Sequence, residues 1–315
     1  FVGGRLGIRI PHLGALARRA ALALPLAAIP GPLAGQEVAA PRRSPDVHFV
    51  PTQTELVRAM LDVAKVGAED VVYDLGCGDG RIVITAVKRY GARRGVCVDI
   101  DPERIAESRR NADTAGVAGR ISFENADLFT ADLREATVVT LYLLPELNER
   151  LRPKLFRELR PGTRIVSNTF DMGAWKPDST VVAKPPSGFQ KHAHFWIIPA
   201  DVAGTWRVRS DGAGNGYSLQ LEQEFQMVTG TAETAGRTIP LEDVRLSGDR
   251  LRFTLDEPGG GGGGGAAARG RLRFEGVVTG ERVGGTVRRD AGPARAWSAE
   301  RVERGSRPEL GPEGS

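Results

Sequence analysis

Cysteine is nearly absent from this chain, with Cys77 and Cys97 the only two in 315 residues. Two cysteines cannot build a disulfide framework, and together with four scattered histidines they offer no zinc-ligand spacing, so no metal is expected. The sulfurs would come close if the strands ending near 75 and 98 are neighbours, yet the expectation is two small buried thiols. Lysine is scarce as well, at six of the 43 basic residues, and the arginines are dispersed. A net charge of +4 spread this way makes no phosphate-binding stripe, so nucleic acid is not an expected partner. Long apolar runs are missing. The stretch Ala20 to Ile29 falls well short of the ~20 residues that a membrane-spanning helix needs. Finally, residues 1–36 contain no acid, and Arg5, Arg9, Arg18 and Arg19 precede the apolar run. That is the layout of a secretory signal, or of an unstructured extension. With the Pro- and Arg-containing linker that follows, residues 1–45 are set apart from the rest.

What is present begins with a hydrophobic content of 41%, enough for real cores in two domains. The chain is organised around Val71-Val72-Tyr73-Asp74-Leu75-Gly76-Cys77-Gly78-Asp79-Gly80-Arg81. An uncharged apolar run ends at Asp74, as in a strand buried on both faces of a parallel sheet. Glycines at 76, 78 and 80 then allow a sharp turn and expose bare backbone to a ligand. Ile82, Val83, Ala86 and Val87 follow at helical spacing. A dinucleotide fingerprint would place its third glycine at position 81, where this chain has Arg81.

A second strand, Gly95 to Asp99, ends in acid, and the 25 positions from Asp74 to Asp99 suit one βαβ unit. The two oxygens of a carboxylate placed there can accept hydrogen bonds from both hydroxyls of a ribose, which makes Asp99 the candidate, with Ile100 beside it. Asp101 is better placed to start the helix at Pro102. Before the motif, Thr52 and Glu55 have capping-box spacing for a helix ended by Gly67, which the family resemblance given below would lay across the site entrance. After it come strands at 121–128, 136–144 and 163–168, then a closing antiparallel pair at 181–183 and 194–198. The predicted fold over 46–200 is a doubly wound, seven-stranded Rossmann-like α/β sheet.

The motif D-x-G-x-G-x-G at Asp74 to Gly80 resembles motif I of the class I S-adenosylmethionine-dependent methyltransferases. Together with Val50-Pro51-Thr52, Leu141-Tyr142-Leu143-Leu144-Pro145 and Leu155 to Ser167, it resembles the lysine methyltransferases of mitochondrial ATP synthase c subunit and adenine nucleotide translocase, and their bacterial relatives. The resemblance implies S-adenosyl-L-methionine as cofactor, held by Asp74, Gly76, Cys77, Gly78, Gly80, Asp99 and Ile100. It also implies that Asp127 faces the adenine between Ala126 and Leu128, although a helix-capping aspartate is the plainer alternative. The end of the fourth strand would face the transferred methyl, so Tyr142, Asn168 and Phe170 are the candidate catalytic residues, with Trp175 a further aromatic of the channel. The absence there of an Asn or Asp before two prolines counts against a nucleobase and favours an amine, of a protein or a small molecule. His192 and His194 read as structural.

Beyond Asp201 the texture changes. Tyr217, Leu219, Leu221, Phe225 and Met227 share one parity, predicting a half-buried antiparallel strand, and 251–255 and 272–274 repeat the alternation. Gly259 to Gly265 reads as a flexible hairpin connection. Residues 201–305 are expected to form a smaller antiparallel β domain, barrel or sandwich, plugged by Trp206 and Trp297, with a disordered tail at 306–315. Two further functions stay open: an exported binding protein whose Rossmann-like part is not catalytic, and a small-molecule methyltransferase. Cofactor supply argues for the cytoplasm and the signal-like start for export, and the oligomeric state is not legible.

Overall fold

In the computed structural model, which describes residues 48–184, 188, 190–210, 216–257, 270–306 and 310, strand β1 (Val71–Leu75) is buried at all five positions. It pairs in parallel with β2 (Arg94–Asp99) on one side and β4 (Val138–Leu141) on the other. β3 (Ile121–Asn125) and β5 (Arg164–Asn168) extend the parallel sheet outward. β7 (Lys191–Ile197) then runs antiparallel to β5, and β6 (Ser179–Ala183) antiparallel to β7. The order β3-β2-β1-β4-β5-β7-β6 is the seven-stranded sheet expected. Its order reverses at β1, so the crevice beyond the carboxyl ends of β1, β2 and β4 is where such a sheet takes its ligand.

Alternate residues of the central strands feed two cores. Val72 and Cys97 join α1 (Thr54–Val63), α2 (Arg81–Arg89) and α3 (Pro102–Ala115) on one face. Val71, Tyr73, Val96 and Val98 join α4 (Pro145–Glu158), Trp175 and Trp196 on the other. The Asp101 carboxylate accepts from the Glu103 amide at 2.8 Å and caps α3, as its position predicts. The capping box at α1 is not formed. Gln53 is the N-cap and makes no side-chain cap, because the Thr52 hydroxyl accepts instead from Asn168 Nδ2 at 3.1 Å. The helix also stops at Val63, ahead of Gly67, where Lys65 takes the left-handed conformation (φ 50°). Nor does α1 cross the crevice: it packs on β5, β6, β7 and α2, while residues 48–52 before it border the cavity.

The second sheet has nine antiparallel strands: β8 (Gly204–Ser210), β9 (Ser218–Glu224), β10 (Met227–Thr234), β11 (Arg237–Pro240), β12 (Glu242–Ser247), β13 (Arg250–Glu257), β14 (Gly270–Thr279), β15 (Arg282–Arg289) and β16 (Ala294–Arg304). Their order, β11-β10-β9-β8-β16-β15-β14-β13-β12, places β11 and β12 at the edges. β10 touches β12 and β11 touches β13, so the sheet curls into a nearly closed barrel. Trp206 and Trp297 plug it as expected, with Phe253 stacked on Phe274 at 4.6 Å and Trp297 edge-on to both.

The strand predicted over 217–227 is broken. β9 and β10 are joined by a two-residue hairpin, Phe225-Gln226, with Phe225 at φ 53°. Met227 beyond it is exposed, whereas Phe225 is buried in the first sheet's core rather than in the barrel. Parity registered the hydrophobic side chains and missed the turn, because Phe225 belongs to a different interior. The described residues of both sheets fall in one compact unit. Of the tail expected to be disordered, Leu310 packs on the same core and its carbonyl accepts from Arg152 Nε at 2.9 Å. Residues 1–45 and Gly259–Gly265 lie outside the described residues.

Phe253 is fully buried among aromatic neighbours, so Phe253→Ala should destabilise the barrel by about 3–5 kcal/mol. A shift of the thermal unfolding transition measured by near-ultraviolet circular dichroism checks this.

Candidate active site

A cavity of about 630 Å³ lies at the carboxyl ends of β1, β2 and β4, within the roughly 300–1,000 Å³ typical of small-molecule sites. The glycine loop forms one side. Gly76 and Cys77 both donate their amides to the Val98 carbonyl, at 2.9 and 3.1 Å, which seats the loop on the end of β2. The Gly78 amide donates to Asp99 Oδ2 at 2.8 Å and the Asp101 amide to Oδ1 at 2.9 Å, so both carboxylate oxygens are aimed by backbone. Gly78 has φ 54°, and a Cβ there would stand 2.1 Å from the Phe49 ring. Only glycine lets residues 48–52 lie against the loop. Arg81 ties the two together, donating to the Thr52 carbonyl at 2.8 Å while its guanidinium engages Asp79.

Charge in this pocket is under strain from dehydration. Burial pushes the Asp74 carboxyl up to about 7, against the lowering effect of a 2.7 Å hydrogen bond from Thr140 Oγ1, and repulsion from Asp99 and Asp79 adds to the rise. Asp99 is also raised by burial, and its two backbone donors pull the other way. A carboxylate so placed is relieved by a cationic ligand.

The cysteines are not thiols. Cys77 and Cys97 form a disulfide that bridges the glycine loop to β2, correcting the expectation of two buried thiols. The parallel pairing of Asp74 with Cys97 brings the strand ends together, and the loop turns Cys77 back over them. With the partners 20 positions apart in sequence, such a crosslink contributes about 3 kcal/mol in the chain-entropy picture.

Of the residues singled out from sequence, Asp74, Gly76, Cys77, Asp99, Ile100, Ala126, Asp127 and Leu128 line the cavity. Asp127 also accepts from the Phe129 amide at 2.9 Å, so it shapes its own turn as well. Gly80 does not line it. This residue instead lets α2 approach α3, since a Cβ would meet Ser108 at 2.8 Å. At the other end, Tyr142 and Phe170 face each other with ring centroids 6.5 Å apart, beside Leu143, Leu144 and Leu147. Asn168 is separate from them. It is buried beneath, with its amide on Thr52 and its carbonyl accepting from Thr169 Oγ1 at 2.8 Å. Trp175 is fully buried in the core rather than in a channel. His194 contacts Thr180 Oγ1 and the Thr169 carbonyl, a structural position. His48, Phe49 and Arg104 line the cavity without having been singled out, because a short stretch ahead of a helix and one arginine within α3 carry no chemical signature.

The ANTKMT methyltransferase domain matches residues 74–179. A protein-lysine N-methyltransferase of Saccharolobus islandicus is 50% identical over 154 residues, which are 49% of this chain and 94% of that protein. The chain belongs to this methyltransferase family. The adenine nucleotide translocase lysine N-methyltransferase of mouse is 32% identical over 135 residues, 43% of this chain and 58% of its own length. Among solved structures, one described as an RNA methyltransferase from Salinibacter ruber in complex with S-adenosyl-L-homocysteine is 52% identical, covering 49% of this chain and 96% of that one at a TM-score of 0.45. As a class I methyltransferase the chain is an S-adenosylmethionine-dependent enzyme. A glycine loop with bare backbone, a backbone-oriented Asp99 and a dehydrated acid awaiting a cation fit that cofactor.

Two outcomes follow from this geometry. Because the folded Asp74 carboxyl is raised above its unfolded value of 3.8, the native state holds the extra proton, and the penalty grows as pH climbs from about 4 to about 7. Asp74→Asn should therefore raise the stability of the ligand-free protein at pH 8, by on the order of 2–4 kcal/mol, and change it little at pH 4. Denaturant titrations at the two pH values check the sign. For the disulfide, the denatured and unreduced protein should show no reactive thiol in a chromogenic assay, and two after reduction.

Proposed function

We propose that this enzyme transfers a methyl group from S-adenosylmethionine to the side-chain amine of a protein lysine. The observation that carries the proposal is the 50% identity to a protein-lysine N-methyltransferase across 94% of that protein's length. The cavity agrees with it. At one end stand Asp99, Ile100 and the Ala126–Leu128 turn, suited to a nucleoside; at the other stands an apolar, aromatic mouth suited to the stem of an amine.

When bound, the cofactor supplies an electrophilic methyl on a sulfonium. The work of the chain is alignment and exclusion of water. Asp99, with its oxygens held by the Gly78 and Asp101 amides, would accept from the ribose hydroxyls, and Asp127 with Ala126 and Leu128 would enclose the base. Asp74, which lines the same cavity, would offset the cofactor's positive charge. Tyr142, Leu143 and Phe170 would line the path of the amine, where an apolar surround favours its neutral, nucleophilic form over the ammonium. No protein nucleophile is required, and positioning alone can contribute roughly 7–11 kcal/mol. Asn168, buried with its side-chain amide on Thr52, would act by holding the stretch before α1 in place.

Incubating the full chain with methyl-labelled S-adenosylmethionine and a total cell extract should put label into protein, recovered as methyl-lysine after acid hydrolysis. Label found in RNA or in small molecules but not in protein overturns the proposal. Asp99→Ala should weaken S-adenosylhomocysteine binding roughly 10- to 150-fold in calorimetry, as expected for losing hydrogen bonds to a charged acceptor. Tyr142→Ala should leave that binding within twofold and slow transfer to protein.

A further inference from the structure

The second sheet reaches the active site through one hairpin. Phe225 leaves the barrel and enters the first sheet's core, stacking on Trp175 with centroids 6.1 Å apart and tilted against Phe156 at 5.9 Å. Arg152 lies over the Phe225 ring at 5.4 Å and donates through its Nη1 to the Met172 carbonyl at 2.7 Å. Gln226 grips the same stretch twice. Its Oε1 accepts from the Trp175 indole at 2.8 Å, and its Nε2 donates to the Lys176 carbonyl at 2.8 Å. Phe156 and Arg152 belong to α4, while Met172, Trp175 and Lys176 lie in residues 170–176, the loop after β5 that begins with Phe170 at the mouth of the cavity.

Within that loop an isolated bridge pairs Met172 with Trp175, the Gly173 amide donates to Asp171 Oδ1 at 3.1 Å and Lys176 Nζ to the Gly173 carbonyl at 2.9 Å. Thr169 just before it sits at φ 69°, a conformation a threonine does not hold unaided. From the first domain, Asn148 Nδ2 holds the Asp171 carbonyl at 3.1 Å, and the Trp196 indole holds the Trp175 carbonyl at 3.0 Å. The hairpin closes the remaining side. It is itself anchored: Gln223 donates to the Phe225 and Ala200 carbonyls at 2.6 and 2.9 Å and accepts from the Val202 amide at 2.7 Å. The Saccharolobus islandicus relative devotes 94% of its length to the matched 154 residues, which leaves no room there for a second sheet. The side chains of Phe225 and Gln226 meet α4 and the loop 170–176, on the Phe170 side of the cavity.

We infer that the β9–β10 hairpin is a positioning element for methyl transfer, in which Phe225 and Gln226 fix the loop 170–176 and thereby set Phe170 against Tyr142 at the acceptor mouth. The inference rests on the reading of that mouth as the amine's entrance. The barrel is then part of the acceptor site's support rather than an appended module.

A double-mutant cycle on the full chain tests it, using Gln226→Ala, Phe170→Ala and the pair, with total protein extract at a subsaturating concentration as acceptor. Gln226→Ala should lower the initial rate of label transfer to protein at least tenfold, leave S-adenosylhomocysteine affinity within twofold, and quicken amide exchange across 170–176. On the Phe170→Ala background it should lower the rate by less than twofold further, since a residue acting through Phe170 has nothing left to act on. Multiplying effects, an unchanged rate, or a parallel fall in cofactor affinity overturns the inference. If Phe170→Ala alone leaves the rate unchanged, the reading of the mouth fails instead. Trp175→Phe, which keeps the ring and deletes the indole donor, should reproduce the Gln226→Ala exchange result without unfolding the core.

Discussion

A carboxylate taken out of water at the end of a buried strand constrains everything around it. Asp74 is 2% exposed, has one hydroxyl as its hydrogen-bond donor, and shares its surroundings with Asp79 and Asp99. Such a group is costly to keep ionised unless a cation arrives or the proton stays on. The fold holds it in place through parallel pairing on both sides, through Thr140 on the neighbouring strand, and through a glycine loop that seats its amides on Val98. A positive ligand beside that dehydrated acid would favour its ionised form.

The two ends of the cavity are supported differently. The end at Asp99 is built from strand termini and backbone amides of the first sheet, elements whose geometry follows from the sheet itself. The end at Tyr142 and Phe170 borders a stretch, 168–176, braced from four directions, by α4, β7, Thr52 through Asn168, and the hairpin of the second sheet. The family match spans 74–179 and so takes in both ends of the cavity, while the barrel lies outside it.

Much of the fold was legible because its signals are local and periodic. The apolar run ending at Asp74, the helix opened by Pro102 and capped by Asp101, and the acid at 99 each follow from spacing and residue type, and each is where expected. What escaped detection is what depends on remote partners. Phe225 shares parity with barrel residues yet is buried by Trp175, about 50 positions away. Thr52 has the spacing of a cap, but a hydrogen bond from Asn168 takes its hydroxyl. Phe49 owes its place to the missing Cβ of Gly78, a fit between two residues 29 apart that no pattern along the chain records.

The bridge between Cys77 and Cys97 has a chemical consequence as well as a mechanical one. Cys77 lines the candidate cavity, where a bound methyl-sulfonium would be an alkylating agent, and thiolate sulfur is a strong soft nucleophile. Bonded to Cys97, it has neither proton to lose nor charge to donate. The oxidised pair would therefore offer no thiolate to a methyl donor held in that cavity.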